Sequence, residues 1–228
     1  MIVLTGVSGG IGNNIIQSLS SIDNVLGIYN NNKPPINLNK NKVILFKIDL
    51  TDEKKIKKFI DENLKKEKKI TLIHLASIKN DNLILNQDIK KLKNIFELNF
   101  FAPYILSKYI IEIMVKNNWG RIIYFSSTGG EKGDQGTSAY TSSKLALLGL
   151  SRVISKEYAR FNITSNVIKL GNFNTGLFKK LPKSKQKTLI ENIPSKKLGD
   201  FKDISSTIRL IINSNYINGA EINIDGGM

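Results

Sequence analysis

Short apolar runs alternate along the chain with longer stretches that have helical periodicity. Residues 70–75 and 121–126 are almost continuously apolar, which is typical of strands covered on both faces of a parallel sheet. The alternation predicts strands near residues 2–5, 24–29, 43–48, 70–75, 121–126, 163–168 and 220–224. It predicts helices near residues 10–21, 52–66, 88–98, 100–117, 138–160 and 201–213. We therefore expect an α/β fold of the Rossmann type, a doubly wound parallel sheet of about seven strands flanked by helices.

One segment, residues 177–198, departs from this alternation. It is rich in lysine, contains Pro182 and Pro194, and shows an irregular pattern of apolar positions. Long unpatterned loops in α/β folds commonly serve the ligand. We expect a single domain over residues 1–228, in which residues 177–198 form a lid over the ligand site.

The composition narrows the classes of function. The 228 residues carry 34 basic and 19 acidic side chains, a formal net charge of +15, which raises the question of nucleic-acid binding. Only four of the basic residues are arginine, the side chain that phosphate and base recognition favour, and the lysines are scattered or spaced along helix faces. A solvated lysine surface is the preferred interpretation, so nucleic acid is not an expected partner. The positive surface suits an acidic partner.

The residue types and segments that form metal sites and membrane spans are few in this chain. The chain has no cysteine and one histidine, so disulfides and thiolate metal sites are excluded and no metal site is expected. There is no run of 18 or more apolar residues, and the first residues lack the pattern of a secretory signal. These features predict a cytoplasmic protein without a membrane segment.

A glycine-rich turn follows the first predicted strand. The letters TGVSGGIG of residues 5–12 lead directly into an amphipathic helix. Glycines allow the tight turn and let a pyrophosphate approach bare backbone, while the free N–H groups of the helix N-terminus face the anion. Such turns also occur in ordinary strand–helix connections, but the position after the first strand favours a dinucleotide site. The candidate residues are Thr5, Gly6, Ser8, Gly9, Gly10, Ile11 and Gly12.

The ends of two further predicted strands indicate which nucleotide the site prefers. Asp49 and Leu50 follow the third predicted strand, where a carboxylate can accept a hydrogen bond from an adenine amino group. The second strand ends in Tyr29 and Asn30, without the acidic residue that would hold a 2′-hydroxyl and repel a 2′-phosphate, and Lys33 lies close by. This pattern favours NADP(H) over NAD(H), although no arginine lies beside the turn to decide between them.

Tyr140 and Lys144 are four residues apart near the start of a predicted helix, so their side chains share one helix face. A phenol is a poor acid–base group at neutral pH, but a nearby ammonium and an oxidised nicotinamide favour its anion and lower its pKa. Ser127 ends the strand thirteen residues before Tyr140 and offers a hydroxyl to polarise a substrate oxygen. A tyrosine–lysine pair alone is common on helix surfaces. Its combination with Ser127 and the glycine-rich turn predicts a nicotinamide-dependent oxidoreductase.

These motifs together resemble the short-chain dehydrogenase/reductase family over essentially the whole chain. The resemblance implies an NAD(P)(H)-dependent enzyme that interconverts a carbonyl and a secondary alcohol by hydride transfer, with a tyrosine as acid and base. It implies a catalytic tetrad of Asn99, Ser127, Tyr140 and Lys144, in which Asn99 holds a water that links Lys144 to solvent. The cofactor contacts it implies are Thr5, Gly6, Gly10 and Gly12 in the turn, Asp49 at the adenine, Gly171 and Thr175 near the carboxamide, and Tyr140 and Lys144 themselves.

The chain departs from the family pattern at two places beside the cofactor. The family's NNAG is replaced by HLAS at residues 74–77, where Ala76, followed by Ser77, still suits close approach to the adenosine ribose. We expect His74 to be structural, a ring packed at the sheet edge, rather than catalytic. Leu170 stands where the family has the proline of a PG pair, and we expect this to loosen the loop after the sixth strand.

Two branches of the family share some of these motifs. HLA at residues 74–76 and the spacing TGxxGxxG are typical of the extended branch, which acts on nucleotide sugars, but the short chain and the ending NIDGGM argue against that branch. DNL at residues 81–83, GRII at residues 120–123 and Arg160 resemble 3-oxoacyl-[acyl-carrier-protein] reductases, in which an arginine at that place helps to dock the acidic carrier. A sugar reductase, and a redox sensor that binds NAD(P) without turnover, remain alternatives.

Two predicted helices carry wide apolar faces. The residues concerned are Phe101, Ile105, Tyr109 and Ile113 in the first helix and Leu147, Leu150 and Ile154 in the second. In the family these helices pair in a four-helix interface, so the resemblance implies a homo-oligomer, a tetramer or a dimer. Burial against the chain's own sheet is the alternative explanation.

Overall fold

The computed structural model describes residues 1–34 and 41–228. Its strands are β1 (Ile2–Thr5), β2 (Val25–Tyr29), β3 (Val43–Lys47), β4 (Thr71–His74), β5 (Gly120–Ser127), β6 (Ile163–Leu170) and β7 (Glu221–Ile224). They form one parallel sheet in the order β3-β2-β1-β4-β5-β6-β7. The strand order reverses between β1 and β4, as in dinucleotide-binding folds, so the prediction of a seven-stranded doubly wound sheet is confirmed.

Helices cover both faces of the sheet. They are α1 (Gly12–Ser20), α2 (Glu53–Asn63), α3 (Ile89–Phe96), α4 (Ala102–Asn117), α5 (Gly129–Lys132), α6 (Ser138–Glu157), α7 (Gly176–Lys179), α8 (Lys183–Asn192) and α9 (Phe201–Asn213). Because side chains alternate across a strand, Val3 packs with α2, α4 and α6 on one face, while Ile2 and Leu4 pack with α1 and α9 on the other. Both core layers therefore rest on the same strands, and the unit is a single domain.

A π-helical turn over Glu97–Phe101 joins α3 to α4. The sequence pattern predicts two helices that end and restart near residue 99, whereas the structure has one continuous helical run. A π turn adds about one residue to a helical turn, so the apolar face after it is rotated relative to the face before it. This rotation interrupts the apolar periodicity, and the sequence pattern therefore predicts a break. The turn brings the Asn99 side chain fully inside the protein.

Residues 177–198 are more regular than the sequence pattern indicates. They contain most of α7 and the whole of α8, which begins directly after Pro182. The expectation of an irregular segment was wrong because α8 buries none of its residues, so it has no apolar stripe to detect. Its last turn leads to Ile193 and Pro194, which pack against the chain's C-terminal glycines.

Leu170 ends β6 within the hydrogen-bonded sheet, and the expected loosening of the loop after it stays a prediction. It is the last residue of the strand, in register with Ser127 of β5 and Ile224 of β7. Its carbonyl accepts the Thr128 N–H at 3.1 Å, and the Gly171 N–H donates to Ile224 at 3.0 Å. A leucine keeps a backbone N–H that proline lacks, so the strand extends to the edge of the site.

The helical run Ile89–Asn117 is long and apolar enough, by length and composition alone, to cross a membrane. In the fold, Leu106, Ile110 and Met114 of this run are buried against the sheet. Core helices of globular domains meet the same criterion, and the apolar character of this helix is explained by that packing.

Candidate active site

The turn after β1 is closed so tightly that two of its glycines have no room for a side chain. Gly6 has a φ of +73°, and a Cβ on it would lie 2.7 Å from the backbone of Ala76. A Cβ on Gly12 would lie 2.4 Å from the Gly6 carbonyl oxygen. The turn therefore folds back on itself beneath the start of α1, which only glycine permits at these positions.

Thr5 and Ala76 belong to the support of this turn. The buried Thr5 hydroxyl accepts hydrogen bonds from the N–H groups of Leu75 and Ala76, both at 3.1 Å. These bonds join the end of β1 to the loop after β4 at the point where the strand order reverses. Ser77, the next residue, is exposed at the rim.

The remaining turn residues present backbone to solvent. Gly9 and Gly10 are exposed, Ser8 and Ile11 are half-buried, and α1 begins without a side-chain cap on its first N–H groups. The second and third N–H groups of α1 already donate to carbonyls of the turn, at 3.0 and 2.9 Å. What the helix N-terminus offers a phosphate group is its partial positive charge, beside the exposed backbone of the turn. The geometry therefore fits the pyrophosphate of a dinucleotide.

The residues predicted to bind the adenosine lie at the ends of β2 and β3, which are neighbouring strands. Asp49 is half-buried, and its Oδ1 accepts from the N–H and the hydroxyl of Thr51 at 3.0 and 2.7 Å. Leu50 is buried beside it, while Asn30 and Lys33 are exposed beyond the end of β2. The helix after Asp49 is capped by Asp52, so Asp49 is not needed as a cap.

Tyr140 and Lys144 lie on the first turns of α6, with the Lys144 Nζ 5.8 Å from the centre of the Tyr140 ring. The Lys144 side chain is almost fully buried, and its Nζ donates to the Phe125 carbonyl at 2.9 Å. Burial lowers the pKa of Lys144 to about 8. A lysine with that pKa can exchange a proton near neutral pH.

The protein alone does not lower the pKa of Tyr140 as the sequence reasoning expects. Burial, and secondly the Asp81 carboxylate, raises that pKa to about 12. The Lys144 ammonium donates to the Phe125 carbonyl, and it is not among the groups that shift the pKa of Tyr140. A bound oxidised nicotinamide would supply the additional positive charge that favours the phenolate.

Two serines end β5, and they are used differently. The Ser126 hydroxyl is buried and donates to the Lys144 carbonyl at 3.3 Å, which ties β5 to α6. Ser127 is half-buried at the strand end, and among the residues that the structure describes its hydroxyl has no hydrogen-bond partner. Ser127 is therefore the serine that can bind another molecule.

Asn99 is tied by hydrogen bonds to α6 and to the loop after β4. Its Oδ1 accepts from the Ile78 N–H and its Nδ2 donates to the Ile78 carbonyl, both at 2.9 Å. The Nδ2 also donates to the Ser143 hydroxyl at 3.0 Å, one residue before Lys144. The π turn thus brings Asn99 next to the helix that carries Tyr140 and Lys144, and its predicted role in holding a water stays a prediction.

The far side of the site is closed by the chain's C-terminal tail. A Cβ on Gly171 would lie 2.6 Å from the Met228 side chain and 2.7 Å from the Asp225 Cα. Thr175, half-buried, donates its N–H to the Phe173 carbonyl at 2.7 Å. The structure places both predicted residues in the loop between β6 and α7, but it shows no contact between them and Tyr140.

Sequence reasoning missed two charged residues beside Tyr140. The Lys79 Nζ lies 5.7 Å from the centre of the Tyr140 ring and pairs with Asp81 at 2.8 Å. Both follow β4 in a loop without regular structure, and no motif marks Lys79. In the described part of the chain, no group of three or more metal-binding side chains is found.

His74 is structural, as predicted, although it lies at the carboxyl end of a central strand and not at a sheet edge. Its ring is stacked on Tyr124 with centroids 5.0 Å apart, and its Nε2 lies 3.2 Å from the Ser107 hydroxyl, which in turn meets the Tyr124 hydroxyl at 2.6 Å. Burial, and secondly the charge of Lys144, lowers the pKa of His74 to about 3.

This burial predicts an acid-dependent loss of stability. In the unfolded chain His74 takes up a proton below pH 6.5, whereas in the folded chain it stays neutral down to about pH 3. Stability from this group is complete above pH 6.5, falls as the pH drops, and is down by roughly 2 kcal/mol at pH 5. Urea unfolding at pH 8 to 5 measures it. Because His74 is the only histidine, His74→Gln should remove the slope, and an equal slope in both proteins would contradict the assignment.

The chain is similar to known proteins of one family over most of its length. The family model for short chain dehydrogenases matches residues 1–186. The 3-oxoacyl-[acyl-carrier-protein] reductase FabG of Buchnera aphidicola subsp. Baizongia pistaciae is 33% identical, over 99% of this chain and 96% of the relative. FabG of Haemophilus influenzae is 28% identical over 99% and 96%. The structure of ElxO with NADP bound has a TM-score of 0.91 at 24% identity, covering 99% and 97% of the two chains, which shows the shared fold.

The chain belongs to the short-chain dehydrogenase/reductase family. It is an NAD(P)-dependent oxidoreductase that acts on CH–OH groups.

Proposed function

We propose that this protein is an NADPH-dependent reductase of 3-oxoacyl thioesters, with Ser127, Tyr140, Lys144 and Asn99 as its catalytic residues. The observation that carries the proposal is that the free Ser127 hydroxyl lies at the carboxyl end of β5, while the Tyr140–Lys144 pair lies on the first turns of α6. The two elements are joined by the hydrogen bond from Lys144 to the Phe125 carbonyl at 2.9 Å. The similarity to FabG proteins over the whole chain supports the substrate class.

Each catalytic residue has a separate task. Ser127 donates a hydrogen bond to the substrate oxygen, and Tyr140 gives that oxygen a proton during reduction or takes it during oxidation. Lys144, with its lowered pKa, restores the proton of Tyr140, and Asn99 fixes the helix on which both lie. The nicotinamide, when bound, supplies or accepts the hydride.

Some of the residues assigned to the cofactor would contact it, and others would support the backbone that does. Ser8, Gly9, Gly10 and Ile11 with the N-terminus of α1 hold the pyrophosphate. The other residues assigned to the cofactor are Thr5, Gly6, Gly12, Asn30, Asp49, Leu50, Ala76, Ser77, Gly171 and Thr175. Residues 177–198, with α7 and α8, close over the substrate.

NADP(H) is the proposed cofactor because no acidic side chain follows β2, and the exposed Lys33 is available for a 2′-phosphate. We expect Asn30→Asp to reverse the preference, raising Kd for NADPH by about tenfold or more while NADH is affected less. Fluorescence titration with both nucleotides measures this. Asn118→Asp adds the same charge at the amino end of β5 and should leave both affinities unchanged, and equal losses in the two variants would argue against the assignment.

A homo-oligomer is proposed from the outer stripes of the two long helices. Leu147 and Ile154 of α6 are buried in the chain's own core, so they belong to the fold. Phe101, Tyr104 and Val153 remain roughly half exposed on the adjoining surface. Pairing these stripes between copies would cover them, and sedimentation equilibrium measures whether a dimer or a tetramer forms.

An acidic acyl-carrier protein is the proposed partner, in keeping with the net charge of +15 and a cytoplasmic location. Arg160 precedes β6, whereas Ser127 lies opposite the other end of that eight-residue strand, so the two are separated by roughly 25 Å. A carrier held at Arg160 would therefore serve the site of a neighbouring copy more readily than the site of the same chain.

The function is tested by titrating the protein with NADPH and NADH and then following nicotinamide absorbance with a carbonyl panel. We expect turnover of acetoacetyl thioesters, faster on the acyl-carrier protein at low salt and slower as salt screens the docking charges. Tight NADPH binding without turnover on any carbonyl would favour a redox sensor. Turnover confined to sugars would replace the thioester assignment with a sugar reductase.

A further inference from the structure

We propose that Lys79 and Asp81 are positioning residues for the reaction: their ion pair, held over the Tyr140 ring, tunes proton transfer by that phenol. The proposal rests on the proposed role of Tyr140 as the acid and base. It adds two residues from the loop after β4 to a site otherwise formed by β5, α6 and the π turn.

The loop is fixed on both sides of the pair. Immediately before Lys79, the backbone N–H and carbonyl of Ile78 are both bonded to the buried Asn99 side chain at 2.9 Å. Immediately after Asp81, the Asn82 N–H donates to the Gly136 carbonyl at 2.8 Å, four residues before Tyr140. The segment between these anchors has little freedom to move away from the start of α6.

The pair is set so that its two charges act on Tyr140 in opposite directions. The Lys79 Nζ lies 5.7 Å from the ring centre and 2.8 Å from the Asp81 carboxylate. The charged groups that face Tyr140 within the described residues are Lys79 and Asp81 from this loop and Lys144 from α6. Asp81 holds the proton on the phenol and raises its pKa, and Lys79 neutralises that carboxylate.

The two residues therefore have opposite expected effects when removed. Without Lys79 the Asp81 charge is unopposed, and Tyr140 holds its proton more tightly. Without Asp81 the freed Lys79 favours the phenolate, and Tyr140 loses its proton more easily. Because both side chains are partly exposed, each displacement is expected to be roughly half a pH unit, about threefold in proton affinity, and to shrink in high salt.

Ionisation of Tyr140 can be observed directly by NMR of protein labelled with carbon-13 at the tyrosine ζ position. Comparison with Tyr140→Phe identifies the Tyr140 signal. We expect Lys79→Met to move the titration to higher pH, Asp81→Asn to move it to lower pH, and Lys79→Arg to leave it at the wild-type position. Lys65→Met and Asp61→Asn, which break an exposed pair at the carboxyl end of α2, are matched controls that should change nothing.

The second readout is the pH profile of kcat/KM for oxidation of a 3-hydroxybutyryl thioester with NADP⁺. Oxidation needs the phenolate, so its acid limb should move up in Lys79→Met and down in Asp81→Asn. Displacements in the same direction, or none beyond those of the α2 controls, would overturn the proposal. Full turnover by Tyr140→Phe would instead overturn the proposed function, while the NMR titration still reports whether the pair acts on Tyr140.

Discussion

Replacing Tyr140 with phenylalanine is expected to lower kcat for carbonyl reduction by about 10²–10⁴-fold while Kd for NADPH changes little. The substitution removes one hydroxyl from a half-buried ring whose neighbours, Lys144 and Lys79, contact its faces and edges rather than requiring its oxygen for the fold. Ser127 would still bind the substrate oxygen, but no positioned group would transfer the proton. The loss should therefore appear in kcat far more than in cofactor binding.

Stopped-flow reduction and fluorescence titration of the same preparations separate these two quantities. Tyr216→Phe is the matched control, because that ring is fully exposed and lies at the opposite end of the sheet. It should retain wild-type kcat. A Tyr140→Phe enzyme with kcat within threefold of wild type would contradict the acid–base assignment.

Replacing Lys144 with methionine is expected to stabilise the fold while it abolishes turnover. Burial lowers the pKa of Lys144 from 10.5 to about 8, so at pH 7 the folded protein carries a desolvated ammonium. Linkage equates this shift with roughly 3 kcal/mol of lost stability. Losing the hydrogen bond to the Phe125 carbonyl costs about 1 kcal/mol, which leaves a net gain of about 2 kcal/mol in the free energy of unfolding at pH 7.

The stability difference between wild type and Lys144→Met is expected to depend on pH. Above pH 10.5 the lysine is neutral in both states and carries no penalty, and the penalty develops as the pH falls from 10.5 to about 8. The stabilities of wild type and Lys144→Met in urea unfolding should therefore cross near pH 10. Below pH 8 the variant is more stable by about 2 kcal/mol, and well above pH 10.5 it is less stable by about 1 kcal/mol, the value of the lost hydrogen bond. Lys156→Met, an exposed lysine on the same helix, is the control with little change. A destabilised Lys144→Met protein at pH 7 would show that this burial is compensated.

The sheet and the principal site residues can be predicted from sequence because each has a local signal. Buried parallel strands are nearly continuous apolar runs, and Tyr140 and Lys144 have a fixed spacing on one helix. The glycine-rich turn can also be predicted from sequence, because Gly6 and Gly12 occupy positions where no side chain fits. These features follow from neighbours in the chain.

Other features depend on contacts between distant segments and leave little trace in the pattern. The sequence pattern predicts a helix break where the structure has the π turn at Asn99. The pattern gives no sign of α8, because that helix buries no residue. The placement of Lys79 depends on hydrogen bonds from Ile78 to Asn99 and from Asn82 to Gly136. The high pKa of Tyr140 comes from burial by the folded chain, which spacing alone does not reveal.

The most direct test of the central claim is transfer of deuterium to an acetoacetyl thioester from NADPH deuterated at both C4 positions, read by mass spectrometry of the product. We expect one deuterium at C3 of the 3-hydroxybutyryl product with the wild-type protein, and a rate of label transfer that falls in parallel with kcat in Tyr140→Phe. Product without label, or no product from any carbonyl despite saturating NADPH, would contradict the account.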